Sequence, residues 1–172
     1  MFEENENITA QKDHFISGIA PDMRSDDEKA QDYQAHEVMA FAAPVDFIEK
    51  NPEDWRTFPL RNQNGSGTCV AQTGAKLLGI ENFLEEGEYL DFSAVDVYSR
   101  RFNKPDSGMA GPDALKIASD FGACFQDDLN DQLITEKQAN QTVVRTDKMI
   151  ADAKRYRAGG YVQIPLSVDA IA

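Results

Sequence analysis

The 172 residues suffice for one domain with a real core, and 41% of them are hydrophobic. The net charge is −13, and the stretch up to Asp54 carries −10 of it, with fourteen acidic and four basic residues. That balance argues against a nucleic-acid surface, and no apolar run reaches membrane-spanning length.

The start, Met1-Phe2-Glu3-Glu4-Asn5-Glu6, is too acidic for a secretory signal or a transit peptide. Two cysteines 55 positions apart form neither a disulfide framework nor a zinc site. The expected setting is the cytoplasm or another reducing compartment, with no metal and no cofactor. No internal repeat is evident.

Residues 1–43 are polar and weakly periodic. They read as an acidic N-terminal arm, a short pro-segment or an extension that orders on a protein partner. Ser25-Asp26-Asp27-Glu28 is a cap for a short helix expected over 29–39. Both histidines, His14 and His36, fall in this arm. Residues 44–60 read as an entry strand with turns around Asn51-Pro52-Glu53-Asp54, with Trp55 as a packing residue.

Gln63-Asn64-Gly65-Ser66-Gly67-Thr68-Cys69 then reads as a glycine-rich loop running into a helix that starts at the cysteine. A thiol placed there meets unpaired backbone N–H groups and the positive end of the helix dipole, both of which favour the thiolate. Gln63, six residues earlier, is placed to offer its side-chain amide to a developing oxyanion. Against this stands the ordinary fate of a lone cysteine, a small buried hydrophobe.

The helix from Cys69 is expected to run to about residue 85, with Val70, Gly74, Leu77, Leu78 and Leu84 on its apolar face and Phe83 beside it. Ala71, Gly74 and Ala75 are small enough for close packing. Glu85-Glu86-Gly87-Glu88 breaks the helix. Ser93 with Asp96 makes a variant capping box for a second helix, whose apolar side is Val95, Tyr98 and Phe102. A loop over 103–111 precedes a third helix. Pro112 suits its first turn, Ala114, Leu115, Ile117, Ala118 and Phe121 line its inner side, and Gly122 stops it.

Cys124 has apolar neighbours and reads as a structural thiol. Residues 127–141 show no clear period. Thr146 caps a helix through Met149, Ile150, Ala153 and Tyr156, which Gly159-Gly160 ends. Tyr161-Val162-Gln163-Ile164-Pro165 is a short strand, and Ser167 opens a helix just before the sequence stops at Ala172.

The Gln63-to-Cys69 segment, followed by Val70-Ala71, resembles the nucleophile segment of papain-like cysteine peptidases of the bacterial type, where a Gln also stands six residues before the Cys. Ser66 replaces a family cysteine, so the usual disulfide there does not form. Val70 replaces the aromatic residue that follows the nucleophile. The resemblance continues through the Trp55-to-Arg61 entry, the Ser93-capped helix, Gly108-Met109-Ala110-Gly111-Pro112 and Gly122-Ala123-Cys124. It covers about residues 44–172.

The resemblance implies an α+β papain-like fold. Residues 44–172 would supply a mainly helical first lobe and the start of a β-rich second lobe, incomplete in this sequence. It implies Cys69 as nucleophile, Gln63 in the oxyanion hole, and Gly67 with Gly108, or alternatively Gly111, presenting backbone to a peptide or protein substrate. The family's catalytic His and Asn follow the cysteine by about 130 to 150 residues, beyond position 172. Neither His14 nor His36 matches that place. The expected function is cysteine-type peptide hydrolysis through an acyl-enzyme, present as a part lacking the His/Asn half-site. The alternative is a non-catalytic papain-fold protein used as a structural or partner-binding module. Another acyl-transfer or deamidation role uses the same thiolate chemistry.

Overall fold

In the computed structural model, residues 19–32, 56–129 and 135–160 are described. They fall into two compact units, one formed from the chain up to Asp22 with 61–158, the other from 23–60 with 159–172. The entry segment through Trp55, the strand expected at 161–165 and the helix start at Ser167 lie outside the described residues.

In the second unit, α1 spans Asp26–Lys29. Ser25 caps it as expected, and Glu28 closes a reciprocal box onto the Ser25 N–H at 2.8 Å. Residues 33–39 of the helix expected over 29–39 lie outside the described residues. Helix α1 begins earlier and ends at Lys29, with Ala30 as its C-cap. Two bonds from Arg24 to Asp32, at 2.8 and 2.7 Å, clamp the turn that follows.

The first unit is built on α2, Cys69–Glu86, close to its expected extent. Gly87 stops it in the left-handed conformation (φ 78°) and donates its N–H to the Phe83 carbonyl at 2.9 Å. Its buried stripe is Ala71, Gly74, Ala75, Leu78, Gly79 and Asn82. Leu78 faces inward as expected, but Leu77 is 45% exposed and Leu84 70%. At Gly79 the inner face must be small because neighbouring backbone comes close, and at Gly74 it lies in contact with Ala114. A Cβ on Gly79 would sit 2.4 Å from the Leu90 carbonyl oxygen, and one on Gly74 lies 3.5 Å from the Ala114 Cβ.

Two elements pack on α2. These are α3, Ala94–Tyr98, and α4, Gly111–Phe121. Ser93 caps α3 by accepting the Asp96 N–H at 2.9 Å. Asp96 does not complete the box, because the Ser93 N–H is already taken by the Cys124 carbonyl at 2.7 Å. Val95 and Tyr98 are buried as expected, whereas Phe102 is 62% exposed. Pro112 lies in the first turn of α4, and Gly122 ends it at φ 62°. A Cβ there would lie 1.8 Å from the Ala153 carbonyl oxygen.

Two short helices, α5 (Gln126–Leu129) and α6 (Glu136–Ala139), occupy the stretch that shows no sequence period. Four residues are too few for a 3.6-residue repeat to declare itself. Helix α7, Asp147–Arg155, starts at the Thr146 cap and ends at Tyr156. Phe92, Phe125 and Tyr156 meet with ring centroids 5.5–5.6 Å apart. They pack against a core that includes Val97, Tyr98, Met109 and Ile117. Burial of each large apolar side chain contributes roughly 1.5–3 kcal/mol.

Asp96 holds the lower part of this unit together. Its carboxylate is wholly buried. It accepts bonds from Arg145 Nε (3.1 Å), Arg145 Nη2, Arg100 Nη2 (3.1 Å) and the Cys124 N–H (3.0 Å). Arg145 also donates to the carbonyls of Phe121 and Gly122, both at 2.9 Å, satisfying the C-terminal end of α4. Burial pushes the Asp96 carboxyl up, but the bonds and charge of Arg145 outweigh it and hold the group below the usual range. Among the described residues, no helix is long and apolar enough to cross a membrane.

Candidate active site

Cys69 is the first residue of α2 and is half-buried. The loop before it is a tight turn. The Gln63 carbonyl accepts the Ser66 N–H at 2.9 Å and the Ser66 hydroxyl at 2.5 Å. The two residues between, Asn64 and Gly65, have φ of 49° and 72°, the left-handed pair that an Asn-Gly turn supplies. Asn62 Oδ1 accepts the Asn64 N–H at 2.8 Å and fixes the approach to the turn. Ser66 thus braces the loop with hydrogen bonds.

Thr68 precedes the helix but does not cap it with its side chain. Its hydroxyl lies 2.8 Å from that of Ser66. Arg61 anchors the entry to this loop by donating to Gln72 Oε1 (3.1 Å), Asp91 Oδ1 (2.5 Å) and the Phe92 carbonyl (2.7 Å). Gln63 is half-buried at the head of the turn, six residues before the thiol.

The loop containing Gly108 lies directly against Gly67. A Cβ on Gly67 would fall 2.5 Å from Ser107 Oγ, 2.8 Å from the Gly108 nitrogen and 2.9 Å from the Tyr98 hydroxyl. Gly67 therefore has to lack a side chain. Gly108 adopts φ 85°, while Gly111 has open space around it as the first residue of α4. The structure brings Gly67 and Gly108 together and leaves Gly111 in the helix.

One carboxylate joins these loops. Glu136 accepts the Gly67 N–H on Oε2 at 2.6 Å, and the Tyr98 hydroxyl on Oε1 at 2.8 Å. Tyr98 in turn accepts the Gly108 N–H at 2.9 Å. Burial and the bond to Glu136 both raise the Tyr98 phenol above its ordinary value, so it stays a donor. Asn140 adds a bond to Glu136 at 3.1 Å, and Arg101 lies over the Tyr98 ring at 3.8 Å. Glu136, Tyr98 and Arg101 carry no motif signal in the sequence. Only the Thr135–Gln138 cap flanking Glu136 marks its helix there.

Met109, the next residue along, is fully buried and pairs in parallel with Ile19 of the arm. The Ala20 N–H donates to the Met109 carbonyl at 3.0 Å.

The second cysteine is in a different setting. Cys124 is fully buried, and burial together with the Asp96 charge pushes its thiol up to about 12. It is a structural thiol, as its apolar neighbours imply. Among the described residues, no group of three or more His, Cys, Asp or Glu is placed to hold a metal ion. His14 and His36 lie outside the described residues.

No protein-family model and no curated protein matches the sequence. Among solved structures, xylellain, a cysteine protease from Xylella fastidiosa, superposes over 91% of this chain with a TM-score of 0.63 at 18% identity. The chain has a papain-like fold. It covers 61% of the xylellain chain. The proform of Amb a 11, a ragweed pollen cysteine protease, aligns over 67% of this chain and 41% of its own at 20% identity. Its TM-score of 0.40 is too low to bear on the fold. Within the papain-like fold, the described residues supply the mainly helical part, which fits an incomplete first lobe.

Proposed function

We propose that the chain carries the nucleophile half of a cysteine peptidase, with Cys69 as nucleophile and Gln63 as oxyanion donor. The observation that carries this reading is the position of Cys69 at the start of α2, behind a turn closed on the Gln63 carbonyl. In the reaction, the Cys69 thiolate attacks the peptide carbonyl carbon. The oxyanion is met by the Gln63 side-chain amide and the Cys69 N–H. The C–N bond breaks, the amine leaves with the proton given up by the thiol, and water hydrolyses the thioester to the carboxylic acid and the free thiol.

Gly67 and Gly108 form the backbone floor for the acyl side of a peptide or protein substrate. The bond from Ala20 to Met109 lies on that same edge. It supports reading the arm as a short pro-segment that covers the edge until displaced.

No histidine follows Cys69 in the sequence. An imidazole base contributes roughly 10²- to 10⁴-fold. Without that base, turnover by these 172 residues is expected to be slower by about that factor. The test is labelling with a thiol-reactive peptide epoxide followed by mass mapping. Modification at Cys69 is the expected result, and modification at Cys124 with Cys69 untouched overturns the assignment.

The acidic stretch up to Asp54 favours a second reading, a non-catalytic papain-fold module that binds a partner through its acidic arm. Under that reading, partner binding persists unchanged in Cys69→Ala. Loss of partner binding in that variant rejects it.

A further inference from the structure

An open cleft of about 330 Å³ lies away from the nucleophile and glycine loops, lined by Arg100, Phe121, Val143, Arg145, Ile150, Lys154 and Arg157. It gathers four cations in a chain whose net charge is −13. Arg100 and Arg145 share one carboxylate, Asp96, which is buried behind them. Among the described residues, Lys154 and Arg157 have no carboxylate partner. The lining therefore holds three positive charges in excess of the one negative charge it uses.

Four like charges around one concavity repel one another, and the repulsion grows where the walls exclude water. A ligand that supplies two or more negative charges relieves it. The guanidinium forks match a phosphate better than a single carboxylate, because planar paired N–H groups meet its oxygens two at a time. The rest of the wall is apolar. Val143 is half-buried, while Phe121 and Ile150 are 45% and 37% exposed towards solvent. Arg100 lies over the Phe121 ring at 5.9 Å, so the aromatic face and the charge sit side by side.

The volume falls at the small end of the range for small-molecule sites. We infer that this cleft binds a phosphate ester with a small flat apolar body, the phosphate held by Lys154 and Arg157 and the body laid on Phe121 and Ile150. Arg100 and Arg145 act mainly as fixed walls, since Nε and Nη2 of each are committed to Asp96, and Arg145 also to the end of α4. None of the lining residues belongs to the proposed active site, so the inference stands or falls apart from the peptidase reading.

The experiment uses the whole chain and two probes, phenyl phosphate and pyrophosphate, titrated calorimetrically at low and at physiological salt. Phenyl phosphate is expected to bind saturably with a dissociation constant below about 1 mM. The affinity falls with added salt, as screening requires. Lys154→Gln with Arg157→Gln, both on exposed side chains, weakens it by about tenfold or more. Phe121→Ala weakens phenyl phosphate and spares pyrophosphate. Lys116→Gln, a lysine outside the cleft, changes nothing. Absence of saturable binding, or equal loss in Lys116→Gln and in the double variant, overturns the proposal. Retention of the thermal unfolding midpoint in the double variant separates lost binding from lost fold.

Discussion

Glu136 accepts the backbone N–H of Gly67 at 2.6 Å across 69 positions of sequence. The same carboxylate takes the Tyr98 hydroxyl, which takes the Gly108 N–H. One short helix, α6, thereby sets the distance between the loop that leads to the thiol and the loop proposed to receive substrate. Glu136→Ala removes three bonds from this joint at once. The expected result is a loss of about 1.5–3 kcal/mol in stability, because the acceptor is charged and the Gly67 N–H is left buried. The rate of epoxide labelling at Cys69 falls as well. Urea unfolding and labelling kinetics on the same samples check both. Tyr98→Phe should show the smaller effect, since it leaves the Glu136–Gly67 bond in place.

The glycines divide by what surrounds them. Gly67→Ala places a Cβ 2.5 Å from Ser107 Oγ and 2.8 Å from the Gly108 nitrogen, so backbone has to move. A destabilisation of more than about 1 kcal/mol is expected. Gly111→Ala meets open space in a helix and is expected to be neutral or to stabilise by up to about 1 kcal/mol. Thermal unfolding of the two variants separates them, and equal effects would show that the Gly67 contact is relieved elsewhere.

Asp96 predicts a dependence on pH. Its folded value is held below that of the unfolded chain, by Arg145 against the effect of burial. The stability it contributes is fully present above the unfolded carboxylate value of about 3.9 and is lost as pH falls through the lower folded value. Asp96→Asn strands Arg145 and is expected to cost about 3–5 kcal/mol at pH 7. The gap between wild type and variant narrows at acid pH. Denaturant midpoints measured from pH 7 down to the onset of acid unfolding read this directly.

The two thiols are expected to part by reactivity. Cys124, pushed up to about 12 and fully buried, stays protonated and covered near neutral pH. Iodoacetamide on native protein should alkylate Cys69 alone, and in urea both. Prompt native modification of Cys124 would show that the Asp96–Arg145 cluster opens locally.

The turn at Asn64-Gly65, the helix from Cys69, the caps at Ser93, Thr146 and Ser25, and the stops at Gly87 and Gly122 were all readable from sequence. Each depends on a residue and its immediate neighbours. The papain-like resemblance was legible for the same reason, since a nucleophile loop is a contiguous segment. The sequence revealed only part of the face of α2 that turns inward, placing Gly74 and Leu78 correctly and marking Ala71 and Ala75 for close packing. Hydrophobicity favoured Leu77 and Leu84, but the buried stripe runs through Ala71, Gly74, Ala75, Leu78 and Gly79, with the Leu90 backbone close against Gly79. The sequence did not mark Glu136, Tyr98 or Arg145, whose partners lie up to 69 positions away. A polar side chain carries the same letter whether it is solvated or buried. Only the tertiary structure, by removing water and bringing Gly67, Gly108 and Asp96 within bonding distance, decided which of them hold the site in place.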